Sequence, residues 1–192
     1  MNKHRMEAFS DGVVAILITI MILELHPPVG TDLESLRAVV PSVLTYVLSF
    51  VLLGIYWNNH YHMLQATDRI NGGILWANLH LLFWLSLVPF VTAWMGRNYT
   101  VALPTALYGA VLIMCAVAYT ILQTAIIMEE GRGSRLAAAI GPDRKGIMSI
   151  VLYASAIPLA FVRPWLADSI YVVVALIWLV PDRRIETKLH AG

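Results

Sequence analysis

Charge is what this chain has least of. Of its 192 residues only 13% are Asp, Glu, Lys or Arg, against roughly 25% in an ordinary soluble domain. Three stretches, residues 38–57, 70–96 and 98–128, carry no charge at all. A helix rises about 1.5 Å per residue, so about 20 residues cross a hydrocarbon core of about 30 Å. Each run is long enough to do so, which excludes a soluble fold. Cysteine is nearly absent too. Cys115 stands alone, so no intrachain disulfide and no thiolate metal cluster can form; it reads as a small apolar filler. Internal repeats, low-complexity tracts and a separate polar domain are missing, and the longest polar stretch, 129–145, is a loop. No Ser/His/Asp set or carboxylate pair is arranged for catalysis, so no enzyme is expected. The basic segment 132–145 is too short to grip nucleic acid and suits anionic headgroups instead.

What remains is 59% hydrophobic and resolves into an all-α integral membrane protein, one membrane domain over residues 1–192. Six spans are expected, at about 5–25, 38–62, 71–95, 103–128, 146–162 and 164–181. The last two are joined by Arg163-Pro164. A residue before proline is driven out of the helical region, while Pro164 suits the first turn of the next helix. The first span has the basic start and apolar core of a signal peptide, but no small-x-small site follows it, so cleavage is not expected.

The connections alternate in charge. Lys3, Arg5, Arg69, Arg132, Arg135, Arg144, Lys145, Arg183, Arg184 and Lys188 fall on the side of the N-terminus; Arg37, Arg97 and Arg163 fall on the other. This positive-inside bias places both termini in the cytoplasm, with the protein in the cell (inner) membrane. Several of the six tryptophans lie near span ends, as interfacial aromatics do.

The first span is unusual because it keeps Asp11, Thr19 and Glu24 within an aliphatic run. If Ser10 were the N-cap, the helix would be too short to cross; starting near Arg5 gives a full crossing. At about 100° per residue, Arg5, Phe9, Gly12, Ile16, Thr19 and Leu23 form one continuous stripe. Asp11 points elsewhere, and shares its side with Glu7, so the two repel unless another helix brings a cation or donor. An ionisable residue inside a span tends to face the bundle interior and to mark a network or functional position. Asp11 is thus a candidate tie to neighbouring helices, with snorkelling at the interface as the plain alternative; Glu24 reads as interfacial. Thr19 either bonds back to its own helix or a neighbour, or lines a path.

The string Arg5-x-x-x-Phe9-Ser10-Asp11, followed by an Ile/Thr/Leu-rich span, resembles the signature of the endolysosomal potassium channel family of the transmembrane protein 175 type. Trp57-Asn58-Asn59-His60 at the end of the second span, and Asn78-Leu79-x-x-Leu82 and Leu87-Val88-Pro89-Phe90 in the third, extend it. The resemblance covers most of the chain and is strongest over 5–95. It implies a prokaryotic single-repeat member, assembled as a homotetramer, whose first helix lines a central pore. Its lining positions match Ile16, Thr19 and Leu23. A potassium-permeable, leak-like cation channel is then expected, with ions selected at a hydrophobic constriction by partial dehydration, and such a ring can also gate. The resemblance further implies that Arg5, Phe9, Ser10 and Asp11 hold the pore helix in register, with Trp57 and His60 as partners, although residues 58–63 depart from the family's pattern. Potassium is the permeant ion; no cofactor, metal or nucleic acid is expected, and the partners are other copies of the chain and membrane lipids.

No TVGYG-like carbonyl filter is present; the nearest string, Tyr99–Leu103, reads YTVAL. His60 and His62 point to opposite sides of a helix and cannot chelate together; with His80 they read as hydrogen-bonded structural groups. Two other functions remain. One is a proton-coupled secondary transporter or proton-leak pathway using Asp11 and the intramembrane histidines. Such proteins usually show repeats and broken helices, and Pro89 is the one good candidate for a break. The other is a membrane scaffold, which carries no flux.

Overall fold

A computed structural model describes residues 3–131, 134, 136, 137 and 143–179. Among these residues the chain is helical throughout, without strands. The helices are α1 (Lys3–Leu23), α2 (Leu33–Gln65), α3 (Gly72–Ser86), α4 (Val88–Arg97), α5 (Ala102–Glu130), α6 (Arg144–Val162) and α7 (Pro164–Leu179). Taking α3 and α4 together, five segments are long and apolar enough to cross a membrane, and α7 is a shorter apolar helix. The protein is a multi-pass membrane protein.

Each departure from the expected spans has a local cause. α1 stops at Leu23, two residues early, where Leu25 N closes a turn on Ile22 O at 3.2 Å and His26 precedes a pair of prolines that cannot follow in a helix. α2 runs well beyond both expected ends. Asp32 caps its start, accepting from Ser35 N at 2.7 Å, and Pro41 is carried inside it. The third span divides at Leu87. Pro89 has no N–H to give the carbonyl one turn back and is tolerated only near a helix start, so a new helix begins there. Gly131, at φ +92°, ends α5 in a conformation that side chains avoid. The last two residues of the expected sixth span, and Arg132, Arg135, Arg183, Arg184 and Lys188 of the charge pattern, lie outside the described residues.

α5 is the axis of the subunit. α3 and α6 pack on it closely, α7 packs on α6, α2 lies along α4, and α1 rests on α2, α3 and α4. Between helices in lipid, close packing and interhelical hydrogen bonds replace the hydrophobic drive, so small residues mark the contacts. Ala118, Ala156, Ala160 and Ala167 are completely buried. Tyr108 is completely buried as well; its hydroxyl meets Ser49 Oγ at 2.9 Å, and Ser49 accepts from Thr92 at 2.7 Å. The Tyr171 hydroxyl donates to Thr105 O at 2.9 Å. At one end of the bundle Glu130 Oε1 accepts from the backbone N–H groups of Asp68 and Arg69, at 2.6 and 2.9 Å. The turn between α2 and α3 is thereby tied to the end of α5, as a serpentine of spans requires.

Candidate functional site

The two rows of side chains on α1 have opposite fates. Met6, Ser10, Val14, Leu17 and Met21, at helical spacing, are buried against the subunit. The row about 100° round the helix holds the stripe expected from periodicity, and it is uncovered. Phe9 and Ile16 are more than half exposed and Leu23 is 77% exposed; Gly12 and Thr19 are exposed too. No charge lies on this row between Phe9 and Leu23. Thr19 donates its hydroxyl proton to Ile16 O at 2.9 Å. That satisfies the donor and leaves the oxygen lone pairs free on the exposed side.

The N-terminal end of α1 is held by two polar links, both involving the Phe9-Ser10-Asp11 group. Asp11 Oδ1 accepts from the Trp57 indole at 2.9 Å, the donor from another helix that its proximity to Glu7 called for. Glu7 instead faces Lys3 and His4 on its own helix, at 3.8 and 3.2 Å. The second link is a buried chain. Ser10 donates to Met6 O at 2.9 Å and accepts from Asn78 Nδ2 at 2.9 Å; Asn78 Oδ1 lies 2.7 Å from His60 Nε2. An amide oxygen can only accept, so His60 carries a proton on Nε2. The Ser10 hydroxyl, the Asn78 amide and His60 Nε2 are thereby paired with one another, as burial demands.

These contacts place five of the sequence candidates. Ser10, Asp11, Trp57 and His60 meet around the N-terminal end of α1, and Phe9 sits beside them on the exposed row. Arg5 does not join them. It is exposed and makes no hydrogen bond or ion pair among the described residues. Asn78, the hinge of the buried chain, was noticed only as part of a motif; an uncharged amide in the middle of an apolar span was the signal that could have singled it out. Glu24 and Arg97 are linked at the other end of α1, 3.0 Å apart; in the sequence Glu24 reads as interfacial and Arg97 only as one charge in the orientation pattern, so nothing pairs them. His80 accepts from the Trp84 indole at 2.9 Å on its own helix.

The sequence profile described as "Endosomal/lysosomal potassium channel TMEM175" matches residues 5–89, the segment that carries α1 and its anchors. A potassium channel of a Chryseobacterium species is 52% identical over 189 residues, covering 98% of each chain. A potassium channel of Chamaesiphon minutus is 29% identical over 90% of this chain and 91% of its own. The endosomal/lysosomal proton channel TMEM175 of Danio rerio is 25% identical over 66% of this chain, which spans a quarter of its length. In three dimensions, the crystal structure of a lysosomal potassium-selective channel TMEM175 homolog from Chamaesiphon minutus superimposes with a TM-score of 0.82 at 26% identity, over 94% of this chain and 97% of that one. With an all-helical fold shared over nearly its whole length and a bacterial relative matching it end to end, the chain belongs to the TMEM175 family.

Proposed function

We propose that this chain is the subunit of a potassium-permeable channel, a homotetramer in which α1 lines a central pore. The single observation that carries the proposal is the uncovered apolar row of α1, set between polar anchors that hold the neighbouring side of the helix. Four copies of Ile16 around an axis form a narrow apolar ring, which an ion crosses only by shedding part of its hydration shell. Potassium releases water more readily than sodium, so the ring favours it, and dewetting of the same ring can close it. Thr19, one turn away, has its proton committed to its own helix and offers lone pairs to a partly dehydrated cation. Leu23 forms the outer ring. The network of Ser10, Asp11, Trp57, His60 and Asn78 holds the register of these rings, Phe9 lies at their inner edge, and Arg5 faces the cytoplasmic headgroups. Single-domain, six-span topology with both termini in the cytoplasm, in the cell membrane, completes the reading. The protein acts as a conduit without a cofactor and not as an enzyme.

Purified protein in liposomes is expected to pass potassium, and Ile16→Asn to lower the potassium-over-sodium ratio. An unchanged ratio in that variant overturns the constriction at Ile16. A proton pathway is the second reading, favoured by the proton-channel name of the vertebrate relatives. It predicts a proton flux that follows a pH gradient and falls in Asp11→Asn, whereas the potassium reading predicts potassium flux without proton coupling.

A further inference from the structure

Ser10 and Asp11 anchor only one end of α1. α1 and α4 finish at the same face of the bundle, at Leu23 and Arg97. The end of a helix leaves unsatisfied carbonyls and carries about half a negative elementary charge. Two such ends side by side repel unless a cation stands between them. Arg97, the last residue of α4, is that cation. Its guanidinium donates to Glu24 Oε2 at 3.0 Å and approaches Glu24 O at 3.4 Å. His26 Nδ1 stands between the two, 2.8 Å from the same carbonyl and 3.3 Å from the Arg97 guanidinium, donating to the first or accepting from the second according to its tautomer.

Two observations make the contact more than a surface pair. Between Asp11 and Glu24, no α1 side chain hydrogen-bonds to another helix among the described residues; the one polar contact, that of Thr19, stays within α1. Beneath the pair, a groove of about 460 Å³ separates the outer half of α1 from α4, lined by Leu17, Ile20, Pro89, Phe90 and Trp94, with Glu24 and Arg97 at its mouth. Leu17 and Met21 seat the last two turns of α1 on the bundle by apolar contact, and the polar link on the side that faces the groove stands at their tip.

We infer that Arg97 is a positioning residue for the outer end of α1, setting through Glu24 where Leu23 stands. The inference rests on the pore reading above. In liposomes, Arg97→Gln lowers the potassium-over-sodium ratio by roughly two- to fivefold, the factor equivalent to an exposed ion pair. Arg97→Lys, whose ammonium still reaches Glu24, recovers it. Exposed pairs contribute little to stability, so the melting temperature of Arg97→Gln in detergent stays at the native value. Leu23→Cys is then combined with each Arg97 variant and titrated with an impermeant, positively charged thiol reagent; buried Cys115 does not compete. Block of Leu23→Cys, faster in the Arg97→Gln background, supports the inference. Leu23→Cys that is not blocked even with Arg97 in place overturns the pore reading itself. Leu23→Cys that is blocked at the same rate in both backgrounds, with selectivity unchanged or not recovered by Arg97→Lys, overturns the role of Arg97 and leaves the pore reading standing.

Discussion

α1 and α5 are both apolar enough to cross a membrane, yet they are used in opposite ways. α5 runs through the middle of the subunit and is buried on several sides, with Tyr108, Cys115, Ala118, Leu122 and Ile126 fully enclosed. α1 buries one row and leaves the next uncovered. Hydropathy cannot separate the two, because lipid, a neighbouring helix and a dewetted path all accept aliphatic side chains equally well. The contrast lies in the residues that are not aliphatic. On α5 the small Gly109 and Ala118 let partners approach closely, and the buried Tyr108 hydroxyl is paired with Ser49 of α2 midway along the bundle. On α1 the anchors are polar, Ser10 and Asp11 at one end and Glu24 just past the other, and they fix the helix at points while Thr19 between them bonds only within α1.

The strongest way to break this comparison is to add bulk to α5. A Cβ on Gly109 runs into the hydroxyl end of Tyr171, and that ring is fully buried, with its hydroxyl committed to Thr105 O. Gly109→Val should cost about 3 kcal/mol, the sum of overpacking and a lost buried hydrogen bond, read as a large drop in melting temperature in detergent. A native-like melting temperature means that α5 is not the close-packed axis described here. Asn78→Leu comes next. It removes the partner of both Ser10 and His60 and leaves the His60 N–H buried without an acceptor, a loss of about 1–3 kcal/mol. Because it also frees the N-terminal end of α1, ion selectivity should change along with stability. A fall in stability with selectivity intact means that the buried chain serves the subunit alone.

How much of this was legible beforehand follows from the same contrast. Long uncharged runs and their length fixed the helical membrane class and the approximate position of each span, since few alternatives satisfy a backbone in lipid. The stripe Phe9, Gly12, Ile16, Thr19 and Leu23 followed from helical angles, and the structure leaves it uncovered. Which partners anchor α1 could not follow from angles, because that depends on which faces of α2 and α3 turn toward it. Trp57 and His60 were reached through a family motif; Asn78 stood in a motif without a role, and Arg5 was placed in the network but stands apart from it. Glu24 and Arg97 are separated by 73 residues, and each alone looks like an ordinary interfacial charge. Only the convergence of two helix ends makes them a pair. The ends of α2 escaped for a simpler reason: its polar ends lie beyond the apolar run, and helix continues there for as long as caps and neighbours allow.

The smallest effect is expected where a helix is fixed by its own cap and not by its neighbours. α2 starts in this way: Asp32 sits in an extended conformation outside the helix and takes the Ser35 N–H on its side chain, covering one of the donors that every helix start leaves open. The Ser35 hydrogen bonds hold the Asp32 carboxyl below its ordinary value of 3.8. Because the folded state binds this proton more weakly than the unfolded state, the contribution to stability is present above pH 3.8 and is lost as the pH falls through the lowered folded value. Asp32→Ala should therefore lower the melting temperature slightly at neutral pH, and the gap from the native protein should narrow as the solution is acidified past that range. Asp32→Asn keeps an acceptor and discards the charge, so it should fall between the two at neutral pH, and the native protein should converge on it as well when Asp32 is protonated. Neither variant should alter ion selectivity, because the cap lies on α2 and not on the rows of α1. A selectivity change in Asp32→Ala means that the start of α2 and the outer end of α1 move together, and the outer anchor then extends beyond Arg97.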